Sequence, residues 1–150
     1  MLSFRPAVVA DVPALAEVAR QAYSLYVERM GQEPAPMTAD YDEVVARGEV
    51  WVAEEGRRIL GMLVLSAERD HLLVENVAVV PDAQGKGVGH ALMRLAEDRA
   101  AASGLAELRL YTNAAMTENL AYYPRRGYVE THRGEEGGFQ RVFFRKRIAT

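Results

Sequence analysis

The segment Gln84-Gly85-Lys86-Gly87-Val88-Gly89 constrains this chain most, because it puts three glycines in five positions where a strand meets a helix. Upstream, Leu72 to Val80 is a valine- and leucine-rich run that reads as a strand. Downstream, Val88, Ala91, Leu92, Leu95 and Ala96 recur at helical spacing, and Gly104 ends that helix. Glycine costs roughly 0.5–1 kcal/mol per site inside regular structure, so three at a helix entrance need a reason. Without side chains, the first N–H groups of the helix lie open, and they have no intrahelical partner. Together with the helix dipole they form an anion cradle suited to a diphosphate. Lys86 adds a positive charge beside it, and His90 a donor. A tight turn with no ligand is the plain alternative.

Two familiar phosphate loops do not fit. The pattern is not GxxxxGK[ST], since Lys86 is followed by glycine and not by a hydroxyl residue. Nor is it GxGxxG with an acidic residue at the end of a following strand. The net charge of −3 argues against nucleic acid, which demands a basic excess. No cysteine occurs, which removes disulfides, thiolate metal sites and a cysteine nucleophile. His71, His90 and His132 have no metal-site spacing, so no metal is expected. No apolar run approaches the ~20 residues that span a bilayer, and no signal peptide is read, so no membrane association is expected and the cytoplasm is the default compartment.

The rest of the chain supports one continuous domain over residues 1–150, an α+β fold on one central sheet. Residues 3–6 read as a first strand. Asp11 is placed to cap a helix whose stripe is Val12, Leu15, Ala16, Val18, Ala19 and Ala22, continuing toward Tyr26. Gly31 to Pro36 reads as a loop, and a second helix runs from about Thr38 or Asp40 to Arg47, with Gly48 as a left-handed cap. Strands are expected at Val50–Ala53, Ile59–Ala67 and Leu72–Val80, then a helix, a strand at Leu108–Tyr111 and a helix from about Met116 to Arg126. Tyr128–Arg133 and Phe139–Arg147 flank Glu135-Glu136-Gly137-Gly138 as a hairpin. The order is βααβββαβαββ.

That order, the strand Val77-Ala78-Val79-Val80-Pro81 and the loop with Gln84, Gly87 and Gly89 together resemble the GNAT acyltransferases, whose signature is Q/R-x-x-G-x-G/A. The likeness covers essentially the whole chain. It implies a mixed, mostly antiparallel sheet with helices on both faces and a V-shaped splay between the strands at 72–80 and 107–111. It implies acetyl-CoA as co-substrate, its pyrophosphate on the main chain of Gly85, Lys86, Gly87, Val88, Gly89 and His90, and its pantetheine arm along Val77, Ala78 and Val79. Tyr123, four residues before Gly127-Tyr128, matches the tyrosine that relatives place to protonate the departing thiolate. Pro124 directly after it departs from the pattern, and so does Met116, where many relatives carry an asparagine; Asn119 or Asn113 is the expected substitute. A homodimer is common among look-alikes.

Direct attack needs a neutral amine, and an alkylammonium of pKa ~10.4 is neutral in about one molecule in 10³ at pH 7. Glu75 interrupts an apolar strand, and period-two alternation puts it on one face with Leu73, Val77 and Val79. It reads either as the general base or as a strand carboxylate paired to an arginine or exposed at a splay. The resemblance puts the acceptor between the first two helices and the last hairpin, where Tyr26, Arg29 and Tyr41 are the chosen contacts, among neighbours that include Tyr23, Phe139 and Arg141. Tyr26 and Tyr41 equally suit a core. The expected function is acetyl transfer to a primary amine, of a small molecule or a peptide N-terminus. The alternative is a non-catalytic acyl-CoA-binding module, which Pro124 beside Tyr123 keeps open.

Overall fold

The computed structural model describes residues 1–148. Its strands are β1 (Leu2–Pro6), β2 (Glu49–Glu55), β3 (Arg58–Ala67), β4 (Leu72–Val79), β5 (Glu107–Asn113), β6 (Val129–Glu136) and β7 (Phe139–Arg147). They form one sheet in the order β1-β2-β3-β4-β5-β7-β6. Every neighbouring pair is antiparallel except β4 with β5, which is parallel. The helices are α1 (Val12–Tyr23), α2 (Tyr26–Met30), α3 (Ala35–Thr38), α4 (Tyr41–Arg47), α5 (Val88–Ala102) and α6 (Thr117–Arg125).

Central β3 is buried from Leu60 through Leu65, because helices cover both of its faces. On one face α5 comes so close that a Cβ on Gly61 would meet Leu92 Cδ1 at 3.2 Å and the Ala78 carbonyl at 2.9 Å. Only glycine fits there. On the other face α1 and α4 pack through Leu15, Val18, Ala19, Tyr41 and Val44. Leu15, Leu63, Leu65, Leu92 and Leu108 are fully buried, and each contributes roughly 1.5–3 kcal/mol of apolar burial.

The mixed sheet and the helices on both faces match the expectation, while four local readings change. Two helices were expected before the second strand, and four are present. The stripe does not run on to Tyr26, because α1 stops at Tyr23, whose hydroxyl is tied to β4, and Ala35–Thr38 forms a helical turn inside the expected loop. Asp11 precedes α1 but caps nothing in it. Its carboxylate accepts from the Val8 amide at 2.8 Å and takes a two-pronged Arg5 pair at 2.8 and 3.0 Å, a stronger charged partnership than a cap. Gly48 is extended, φ −117°, not left-handed; a Cβ there would meet the Val44 carbonyl at 3.2 Å. The last hairpin turns on Gly137 and Gly138 alone, with φ 58° and 85°, the two left-handed positions of a tight turn.

The feature that positions the site is a bulge. Val64 pairs with Asn76 and Leu65 with Val74, so Glu75 is the extra residue in β4. Pairing of β4 with β5 covers only Leu72–Leu108, Leu73–Arg109 and Val74–Leu110. Beyond Val74 the two strands diverge. The expected splay is therefore present, and it opens at the bulge.

Candidate active site

The glycine loop follows β4 through a 3-10 turn, Pro81–Ala83, and enters α5 at Val88. Gly85 and Gly87 have φ of 79° and 87°, a region that L side chains rarely adopt, and a Cβ on either would meet nothing within 4 Å. The cradle is thus open on its outer side, the arrangement an anion needs. Among the described residues no backbone carbonyl accepts from the amides of Gly85, Lys86 or Gly87, and those of Val88, Gly89 and His90 are the unpaired first amides of α5. Gln84 turns back, its Nε2 donating to the Val79 carbonyl at 2.9 Å, which pins the loop to the strand. The side chains of Lys86 and Val88 play no part in lining the groove: Lys86 is exposed and Val88 sits in the core. Their amides remain available.

A groove of about 430 Å³ runs from this loop along Val77, Ala78 and Val79 to Asn119, Tyr122 and Tyr123 of α6. Because the Val80 amide donates to Leu60 of β3, strand alternation turns the polar groups of Val77 and Val79 toward the gap left by β5. Their carbonyls already accept, from the Tyr23 hydroxyl at 3.1 Å and from Gln84. Their amides face the gap. Tyr122 adds a hydroxyl that is buried with no partner among the described residues, beneath the Arg126 guanidinium at 5.3 Å from its ring. Open left-handed glycines, gap-facing amides and an unpartnered hydroxyl fit a long polar ligand with a diphosphate at one end.

A second cavity of about 200 Å³ lies on the other side of the splay. Its wall includes Pro36, Tyr41, Arg47, Glu75, Asn76, Tyr111, Phe139 and Arg141. Tyr23, Val77, Asn119 and Tyr123 line both cavities, so the two meet there.

Tyr123 is buried, edge-on to Tyr122 and Tyr128 at 5.3 and 5.5 Å, and burial pushes its phenol up, as the neighbouring Tyr122 also does. Pro124 falls in the last turn of α6, one residue before its end, and leaves Tyr123 at the junction of the cavities. Asn119 also reaches the junction, its Nδ2 donating to Thr112 Oγ1 at 3.0 Å. Asn113 instead accepts from the Ala115 amide at 2.8 Å, closing a local turn. Asn119 is the one in the groove.

Glu75 does not share a face with Val77 and Val79, because the bulge breaks the alternation. Val79 meets α5 near Gly89, whereas Glu75 turns toward α4 and accepts from Arg47 Nη1 and Nη2 at 3.2 and 3.0 Å. It lines the smaller cavity and carries the arginine pair that was the other reading. Tyr41 lines that cavity as expected; it is buried, its hydroxyl donates to the Pro36 carbonyl at 2.5 Å, and burial pushes its pKa up to about 12. Tyr26 lines the larger groove instead. Arg29 lines neither cavity; it stacks over Tyr26 at 5.1 Å and pairs with Glu118 of α6 at 2.7 Å. Both were expected beside Tyr41, but α2 keeps them away from the smaller cavity.

Asn76 escaped the sequence reading. It is buried, takes the Tyr23 hydroxyl at 2.6 Å and donates to Tyr41 at 3.4 Å, joining α1 and α4 to the bulge. Two adjacent polar residues, Glu75-Asn76, inside an apolar strand were the available signal for a bulge. Burial raises the Tyr23 phenol, with smaller contributions from neighbouring tyrosines, so its hydroxyl remains a donor. Among the described residues no group of three His, Asp or Glu could hold a metal, and no helix is long and apolar enough to cross a membrane.

Comparison with known structures finds the same fold. The PaiA N-acetyltransferase of Thermoplasma acidophilum, solved with coenzyme A, superposes with a TM-score of 0.82 at 16% identity, over 98% of this chain and 99% of that one. A GNAT family acetyltransferase of Elizabethkingia anophelis with acetyl-CoA bound gives 0.73 at 18% identity, over 97% of each chain. The ribosomal-protein-S18-alanine N-acetyltransferase of Escherichia coli gives 0.75 at 18% identity, over 100% and 96%. Comparison with curated proteins finds no match. The family model described as acetyltransferase (GNAT) family matches residues 13–128, which includes the loop, the splayed strand and α6, and the chain belongs to that family.

Proposed function

We propose that this protein transfers an acetyl group from acetyl-CoA to a primary amine by direct attack. The observation that carries the reading is the meeting of two cavities at Tyr23, Val77, Asn119 and Tyr123, one of them ending in an open cradle of main-chain amides. The thioester supplies the electrophile. Amides from Gly85 to His90 hold the diphosphate, and the gap-facing amides of Val77 and Val79 orient the arm and polarise the acetyl oxygen. The acceptor amine enters from the smaller cavity. Glu75 takes its proton, directly or through a water, while Arg47 holds both carboxylate oxygens in place.

Tyr123 hydrogen-bonds the departing sulfur and supplies its proton. A phenol raised by burial stays protonated at neutral pH, as this role requires, and the same apolar surroundings raise the thiol. The binding-module reading rested on Pro124, and a tyrosine still lining both cavities no longer favours it. Such chemistry belongs to a compartment that holds acetyl-CoA, by default the cytoplasm.

Because the chain has no cysteine, a thiol reagent reports only released CoA. Amine-dependent CoA release across a panel of primary amines supports the proposal. Tight acetyl-CoA binding with no release from any of them favours the binding module, and no calorimetric heat with either CoA or acetyl-CoA at millimolar concentration overturns both.

A further inference from the structure

We infer that the acceptor is a small amine that itself carries a carboxylate, an amino acid in the broad sense, held by Arg141. The inference rests on the transferase reading and names its substrate class. Arg141 and Arg47 are the two cations that line the smaller cavity, and they are used differently. All three nitrogens of Arg47 donate to carboxylates, of Glu43 and Glu75. Arg141 donates through Nη1 alone, to Glu136 at 2.8 Å. Nε and Nη2 have no protein acceptor among the described residues.

Those remaining donors are not in open water. The Arg141 side chain is only 17% exposed, its guanidinium held 4.3 Å over the Tyr111 ring and 5.6 Å from that of Phe139. A fixed, mostly desolvated guanidinium with spare parallel donors matches a carboxylate, which takes two such bonds at once. Counting the carboxylates paired to them, Glu43, Glu75 and Glu136, the two guanidiniums carry no excess positive charge, so what Arg141 offers a ligand is its spare donors. Apolar neighbours, among them Pro36, Val44 and Met116, leave room for an apolar remainder.

A peptide N-terminus fits this wall less well, since its carboxylate has become an uncharged amide. Gln32, between α2 and α3, donates to the Gly138 carbonyl in the last turn at 3.3 Å, tying that loop to the last hairpin.

The test pairs free α- and ω-amino acids with their carboxamides in two measurements. One is CoA release; the other is calorimetric binding to the protein saturated with CoA, which needs no turnover. The expected result is a preference for the acid over its amide of about 10- to 100-fold in kcat/KM and in affinity, the range of charge-assisted hydrogen bonds. Arg141→Gln brings that ratio close to one, and Arg141→Lys restores part of it, with acetyl-CoA affinity unchanged in both. Acid binding through Arg141 without acetyl transfer keeps the carboxylate site and overturns the transferase reading. Acids and amides acetylated alike, a ratio that Arg141→Gln leaves unaltered, or no binding of any acid overturns the carboxylate site.

Discussion

The groove beside the glycine loop is walled at its loop end by main chain, whereas the smaller cavity is walled by side chains from α1, α2, α3, α4, α6, β3, β4, β5 and β7. An anion can be held by consecutive amides of one short segment, so the first wall is written in six adjacent residues. An amine with its own shape has to be met by side chains at specific places, and those come together only when the sheet forms. The first region therefore announces its ligand class locally. The second announces nothing until Glu75, Asn76, Tyr41 and Arg141 face one another.

Four changes would break or sharpen that contrast. The largest effect belongs to the junction. Tyr123→Phe is expected to lower kcat by 10² or more, within the ~10²–10⁴ range of general acid–base catalysis, with acetyl-CoA affinity retained by calorimetry. An unchanged kcat would remove the hydroxyl from the reaction. Glu75→Gln is expected to lower kcat by about 10²-fold, most strongly near neutral pH, and again to spare cofactor binding. A uniform fall in the melting temperature with normal kcat would assign Glu75 to the Arg47 pair alone.

On the other side of the contrast, Gly87→Val should weaken acetyl-CoA binding by about tenfold or more, since a β-branched residue at φ 87° costs roughly 1–3 kcal/mol. Its effect falls on KM for acetyl-CoA, not on which amine is chosen. Equal affinity would mean that the loop tolerates side chains and is not the cradle. Asp11→Asn touches neither region, and here only stability should change. The Asp11 carboxyl is held below its usual range, first by the hydrogen bonds from Arg5 and then, against the cost of burial, by the Val8 amide and the Arg5 charge. Its stabilisation is complete above the unfolded value near ~3.9 and is lost as pH falls through the lower folded value. Chemical denaturation should therefore show a deficit of about 1–3 kcal/mol at pH 7 that closes in the acid range.

Legibility followed range. The loop and the strand before it could be read because each is a short pattern with a local physical reason, while the splay and the choice of Tyr123 came from the resemblance that those patterns carried. Of the two starts left open for the second helix, Thr38 and Asp40, the structure uses Asp40, whose carboxylate accepts from the Asp42 and Glu43 amides at the start of α4. Gly48 and Asp11 went the other way. Their local chemistry suggested caps, and contacts with distant backbone and with Arg5 decided otherwise. Tyr26 and Arg29 were sought at the acceptor, but the Glu118 ion pair and the groove on the α6 side hold them elsewhere.

By itself, then, the sequence determined an open glycine turn with bare main-chain amides at a strand-to-helix junction and the periodicities of one mixed sheet, because those depend on φ, on missing Cβ atoms and on spacing along the chain. It also marked Glu75 as a polar intruder in an apolar strand. Only the tertiary structure decided which way that carboxylate turns. One extra residue opposite Val64 and Leu65 reverses the alternation, and no periodicity shows where pairing will slip. The same holds for the wall of the smaller cavity, since Arg141 reaches it through the pairing of β7 with Asn113 across 28 residues of chain, a long-range contact set by the global packing and by no local preference.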